Sequence, residues 1–137
     1  MTTLELVDAE NDAHLAQLYA LLAERTPQQA ISHKKMPTFA EHVAFVRADP
    51  YYLWYRIMSG KQCVGAIYLT HNNEVGIGIF NIHKNKGHGA NALDMLMRAV
   101  PDRRPIYANI NPENTASQYF FKNAGFKLLQ QTYILEG

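Results

Sequence analysis

From Gly76 to Ala90 the sequence reads GIGIFNIHKNKGHGA, an apolar strand-like stretch that passes through a short glycine-containing loop into an amphipathic helical run. The first N–H groups of a helix have no intrahelical partner, and together with the helix dipole they favour an anion. Gly87 and Gly89 let the main chain approach such an anion closely. Lys84 and Lys86 add positive charge at the same place, so the segment suits a ligand carrying several phosphates, pyrophosphate above all. The spacing is not that of a P-loop, which needs a Gly-Lys-Ser/Thr ending, nor has it the three glycines of a dinucleotide fingerprint. Two glycines at a strand-to-helix turn also serve purely steric ends, so this segment alone leaves both readings open. The six histidines show no metal spacing: His83 and His88 lie five apart across the loop with nothing to pair with them, and no metal is expected. Cys63 stands alone among Val64, Ala66 and Ile67, which suits a buried thiol in a reducing compartment rather than a reactive one.

The elements that must position this loop follow from periodicity. Leu4 to Val7 can form a strand, and Leu15, Leu18, Tyr19 and Leu22 recur at helical spacing until Thr26-Pro27. A polar and basic loop from Gln28 to Lys35 leads to Thr38 and Glu41, a capping box that opens a second helix ending at Asp49-Pro50. Tyr52 to Met58, Gln62 to Thr70 and Glu74 to Ile82 then read as an antiparallel meander broken by Ser59-Gly60-Lys61 and His71-Asn72-Asn73. After Gly89, Leu93, Leu96, Met97 and Val100 share one side of a helix that Pro101 closes. Pro105 to Ile110 predicts another strand, Asn111-Pro112 an N-cap with proline at the first helical position, Gly125 a C-terminal stop, and Phe126 to about Leu135 a last strand. The sum is α+β: a mainly antiparallel sheet flanked by helices, in one domain over residues 1–137. With 47% hydrophobic residues the chain can bury a core and shape a cleft, and thirteen basic against twelve acidic side chains give a net charge of only +1. No global field points to nucleic acid or a membrane surface as partner. MTTLELVDAEND is too acidic for a signal peptide, and no apolar run approaches the ~20 residues of a membrane span, so a cytoplasmic protein is expected.

A second segment makes the first specific. The run Asn114-Thr115-Ala116-Ser117-Gln118-Tyr119-Phe120-Phe121-Lys122-Asn123-Ala124-Gly125-Phe126 resembles the second motif of the GNAT superfamily of N-acetyltransferases, Asn-x-x-Ala/Ser followed by an aromatic, Lys and Gly-Phe. Lys84-Asn85-Lys86-Gly87-His88-Gly89 is similar to that family's pyrophosphate loop, Arg/Gln-x-x-Gly-x-Gly/Ala, and the two stand in the family's order and separation. The resemblance is close from Val64 to the C-terminus and holds only as a pattern of elements before it. It implies a three-layer α/β/α sandwich whose mixed, mainly antiparallel sheet is splayed between two parallel strands. It also implies acetyl-CoA as co-substrate and a primary amine as acceptor, in a ternary complex. On the family's pattern, the main chain of Ile77, Gly78 and Ile79 pairs with the pantetheine arm. The amides of Lys84, Asn85, Lys86, Gly87, His88, Gly89 and Ala90 hold the pyrophosphate, and Asn114 and Lys122 face the cofactor.

The amine arrives as ammonium and must lose a proton before it attacks. Glu74, where members of the family often carry a carboxylate, is the first candidate base, with His71, His33 and His42 as alternatives. Phe121 occupies the place of the family's usual tyrosine acid and has no proton to give. Tyr119 is about 200° around the helix from it, which leaves Tyr133 on the last strand, or solvent, as acid. Acceptor contacts in the family come from the first two helices, their loop and the facing strands, here His33, Trp54, Tyr55 and His71. The pattern from Pro37 to Val46 is loosely similar to members that acetylate amino sugars on nucleotides. The alternatives are acetylation of a protein N-terminus or lysine, and a non-catalytic CoA-binding sensor. Many members pair as homodimers.

Overall fold

The computed structural model describes residues 1–25 and 35–137. Four strands, β1 (Thr2–Leu6), β2 (Leu53–Ser59), β3 (Gln62–Leu69) and β4 (Val75–Ile79), form an antiparallel sheet in the order β1-β2-β3-β4. Four helices flank it: α1 (Asp12–Ala23), α2 (Phe39–Arg47), α3 (His88–Ala99) and α4 (Thr115–Asn123). The expected meander is present, with Gly60 at φ +61 and Asn73 at φ +64 taking the left-handed conformations that its two turns require. The capping box at α2 is also formed: Thr38 Oγ1 accepts from the Glu41 N–H at 3.1 Å, and Glu41 Oε1 accepts from the Thr38 N–H at 2.8 Å.

Alternation along the strands divides the core in two. Ile57, Ile67, Leu69 and Val75 pack with Leu93 and Leu96 of α3 and Phe121 of α4 on one face. On the other face, Ala66 and Trp54 meet Leu15 and Leu18 of α1 and Val46 of α2. The result is the three-layer sandwich. The largest fully buried side chains, Ile57, Ile67, Leu69, Leu96 and Val64, are central strand or α3 positions, and each contributes roughly 1.5–3 kcal/mol by burial. Among the described residues no helix is long and apolar enough to cross a membrane.

Three expectations change. Pro105 to Ile110 makes one parallel bridge, Glu74 with Tyr107, and no longer ladder. The Val75 N–H donates to the Tyr107 carbonyl and the Tyr107 N–H to the Asn73 carbonyl, each at 2.8 Å. Ile106, Ala108 and Ile110 still pack on the core, so the apolar alternation reported burial correctly while the chain parts from β4. The N-cap of α4 is Asn114 and not Asn111, because Asn111 Oδ1 closes a tight turn onto the Glu113 N–H at 2.9 Å. Finally, Phe126 packs on the core but residues 127–137 are exposed and carry no strand. The apolar alternation there had predicted one, but no described strand pairs with it.

Candidate active site

The register of β3 on β4 fixes which way the β4 backbone faces. The Phe80 N–H donates to the Val64 carbonyl and the Thr70 N–H to the Glu74 carbonyl, so 66/78 and 68/76 are the other hydrogen-bonded pairs of this antiparallel ladder. The N–H and C=O groups of Val75, Ile77 and Ile79 therefore point away from β3. Val75 is satisfied by Tyr107. Beyond that bridge the 105–110 segment diverges, and the main chain of Ile77 and Ile79 faces a slot in which an extended ligand with amide groups can pair as an added strand.

The start of α3 lies at the end of this slot. One turn of 3₁₀ helix, Asn81–His83, leaves β4, and Asn85 (φ +64) and Gly87 (φ +84) reverse the chain into α3. Both conformations are left-handed, tolerable for asparagine and natural for glycine. Asn11, Thr38 and Asn114 cap α1, α2 and α4 with side-chain oxygens, whereas the N-cap Gly87 of α3 has no side chain to offer. The amides of His88, Gly89 and Ala90 are thus left as donors at the positive end of a twelve-residue helix. A Cβ on Gly87 would meet nothing within 4 Å, so that face is open; one on Gly89 would lie 3.2 Å from the Phe120 ring and 3.7 Å from Ile77. Gly89 therefore allows α3 to pack against both α4 and β4. Lys84, Asn85 and Lys86 are exposed around this start. The His88 ring turns away from the slot, its Nδ1 3.0 Å from Thr2 Oγ1 on β1, so His88 can serve an anion there only through its amide. Asn114 spends its Oδ1 on the Ser117 N–H at 3.1 Å, which leaves its side-chain amide hydrogens for a ligand, and Lys122 is exposed.

Glu74 stands where β4 and the 105–110 segment separate. Its Oε2 accepts from Asn109 Nδ2 at 2.6 Å, and its N–H donates to Thr70 Oγ1 at 3.0 Å. Asn109 was not legible from the sequence as a partner, because the contact depends on two segments that meet only at Tyr107. The turn before Glu74 is held by Arg103, whose Nε donates to Asn73 Oδ1 at 2.7 Å and Nη2 to the His71 carbonyl at 3.0 Å, with the guanidinium 3.8 Å above the Tyr52 ring. His71 is exposed on that turn, its ring 6.0 Å from Tyr52.

Trp54 and Tyr55 are consecutive strand residues and the structure puts them on opposite faces: Tyr55 packs on the α3 side, Trp54 on the α1 side. Trp54 joins a group the sequence did not assemble, with ring centroids 4.7 Å from Tyr51 and 6.2 Å from Phe45, while Tyr51 stacks on Tyr68 at 4.0 Å. Tyr68 lies across Gly76, where a Cβ would overlap its ring. Burial, and then the neighbouring Tyr68, push the Tyr51 phenol well above its ordinary pKa, so it keeps its proton.

The other candidates stand elsewhere. His42 is buried between α1 and α2 beside Tyr19 and Phe39, its Nε2 without a hydrogen-bond partner among the described residues. Burial holds its pKa below the ordinary value. Tyr133 is 87% exposed with its hydroxyl on Gln131. His33 lies outside the described residues. Phe121 is 6% exposed and packs edge-on against Phe120 and Phe126, and Tyr119, on the opposite side of α4, is 69% exposed. Among the described residues no group of His, Cys, Asp and Glu could hold a metal ion.

A family model described as an acetyltransferase (GNAT) domain matches residues 3–127. Among solved structures, an acetyltransferase from Thermus thermophilus superposes with a TM-score of 0.76 at 19% identity, over 95% of this chain and 89% of that one. An aminoglycoside N-acetyltransferase, AAC(6')-Iy, in complex with CoA gives 0.75 at 15% identity, over 100% of this chain and 95% of that one. The yncA protein of Salmonella typhimurium, with its cofactor acetyl-CoA, gives 0.70 at 18% identity, over 92% and 79%. At these identities the likeness is one of fold. No curated protein matches the sequence.

Proposed function

The chain belongs to the GNAT acetyltransferase family, and from the slot between β4 and the 105–110 segment we propose that it transfers acetyl from acetyl-CoA to a primary amine on a small acceptor. The observation that carries this reading is the conjunction of an outward-facing backbone at Ile77 and Ile79 with the uncapped start of α3. A pantetheine arm has amides to pair with the first, and a pyrophosphate has the charge to fill the second. That CoA is bound by the aminoglycoside acetyltransferase and acetyl-CoA by yncA supports the same ligand here.

Acetyl-CoA supplies an activated thioester, so the transfer needs a deprotonated amine and a departing thiolate. In this reading Glu74 receives the acceptor's proton, directly or through water, as nitrogen bonds to the acetyl carbon and the carbon–sulfur bond breaks. Asn109 and Thr70 orient the carboxylate without exhausting it, since an ionised carboxylate offers about four acceptor sites. The thiolate takes its proton from solvent, because Phe121 is core with no proton to give and Tyr133 is exposed with its hydroxyl on Gln131; a free thiol pKa of about 8.5 for cysteine-like sulfur makes it a fair leaving group unaided. Tyr68 lies over Gly76, two residues after Glu74, and with Tyr51 and Trp54 packed on it gives the acceptor an aromatic, uncharged wall suited to an amino sugar or similar small amine.

Thiol release from acetyl-CoA, measured with a panel of amino sugars, polyamines and peptide amines, tests the proposal. Acetylated amine and free thiol should appear in equal amounts with one class of small amine. The buried Phe121 favours a second reading, a CoA-binding domain without catalysis, and CoA binding with no amine-dependent thiol release would establish it.

A further inference from the structure

The first turn of α3 supplies no side-chain cap of its own, because its N-cap is Gly87, and the amides of His88, Gly89 and Ala90 are without intrahelical partners. A restraint reaches it from the other edge of the sheet. β1 and β4 are the two outer strands in the order β1-β2-β3-β4. Leu4 of β1 packs on the α3 side, so Thr2, two residues earlier, faces that side as well. Thr2 Oγ1 lies 3.0 Å from His88 Nδ1 and accepts from Asn91 Nδ2 at 3.3 Å. Residues 88 and 91 are three apart and therefore neighbours on one side of the helix, so a single hydroxyl holds the first turn at two points. A hydroxyl both donates and accepts, and it completes the His88 contact with either ring tautomer.

We propose that Thr2 is a positioning residue for the phosphate cradle: through His88 and Asn91 it holds the amides of residues 88–90 where a pyrophosphate needs them. The inference rests on acetyl-CoA as the ligand of the slot. Recognition by several backbone amides requires them to converge to within ~0.5 Å, and a helix end frays unless something ties it down. Without the Thr2 hydroxyl the ligand itself must order the turn, which lowers its affinity. The effect is confined to ligands that use those amides. Pantetheine, which lacks the pyrophosphate, meets β4 alone.

Thr2→Val keeps the β-branched shape that suits a strand and removes the hydroxyl, whereas Thr2→Ser retains it. By calorimetry, CoA should bind Thr2→Val about three- to tenfold more weakly than wild type, the loss expected of one or two hydrogen bonds, and Thr2→Ser should bind as wild type does. An NMR titration with pantetheine should give the same affinity for all three chains. In the unliganded chain the Asn91 N–H, bonded to the Gly87 carbonyl at 3.1 Å, should exchange with solvent about three- to tenfold faster in Thr2→Val. Equal CoA affinity in Thr2→Val and wild type, equal losses for CoA and pantetheine, or no rescue by serine overturns the proposal. A wild-type chain that binds no CoA overturns the acetyl-CoA reading and the binding role with it. Unchanged Asn91 exchange overturns the tether itself, whatever the chain binds, so the two failures are told apart.

Discussion

Glu74 is held from two sides, by Thr70 across the turn and by Asn109 from the parted segment. Glu74→Gln keeps an oxygen for Asn109 and removes the base, so CoA affinity should be unchanged while turnover falls by ~10²–10⁴-fold. Because the amine loses its proton to bulk solvent at high pH, the variant should recover toward wild type as pH rises through the acceptor's pKa. A pH–rate profile checks this, and equal rates at neutral pH would remove Glu74 from the mechanism. Histidine titration governs stability instead. Burial lowers the pKa of His42, and burial followed by the Arg56 charge lowers that of His14, both from 6.5. A histidine with a depressed folded pKa is neutral in both states above 6.5; below it the unfolded chain binds the proton first, and stability is lost as pH falls toward the folded pKa. The melting temperature should therefore drop from pH 7 to 5, and His42→Phe should flatten the slope. A melting temperature independent of pH across that range would contradict the burial argument.

Among the elements, the start of α3 was read from its glycines, and the structure gives the two different work. Gly87 supplies a left-handed φ with open space around it, while Gly89 makes room for Phe120. Valine at either should weaken CoA binding at least about tenfold, equivalent to ~1.4 kcal/mol. Lys84→Ala should cost only a few-fold, since an exposed charge is screened. Isothermal titration separates these outcomes, and equal losses for all three would mean that side-chain charge, not backbone, holds the phosphates. At the β3–β4 turn, Arg103→Ala should reduce turnover by about tenfold through misplacement of Glu74 and leave CoA affinity intact. Lysine cannot restore the forked clamp, so Arg103→Lys should behave like alanine. The meander, both N-terminal helices and the capping box at Thr38 were legible because alternation, helical period and cap chemistry are local signals. The start of α4 was misread because Asn111 and Asn114 are equally good caps by type, and only the turn at Glu113 decides between them. The Glu74–Asn109 contact, the Tyr51–Tyr68 stack and the buried Arg56, bonded to Gln17 and Glu5, were not legible. Each joins residues far apart in sequence and depends on register.

For the whole molecule, the sheet is held together on one side of β4 and opened on the other. Its two cores fix β3 and β4 between the helical layers, which lets the single Glu74–Tyr107 bridge begin a slot without loosening the fold. A ligand that fills this slot exists only for the folded state and must stabilise it. The most direct test of the account is the melting temperature of the full chain with increasing CoA or acetyl-CoA. At one hundred times the dissociation constant the stabilisation is about 2.7 kcal/mol, a rise of roughly 10 °C for a domain of this size, and the tenfold weaker binding of Gly87→Val should cut that rise by about half or more at the same concentration. No rise at saturating CoA, or the same rise in Gly87→Val, would contradict the slot and the backbone cradle together.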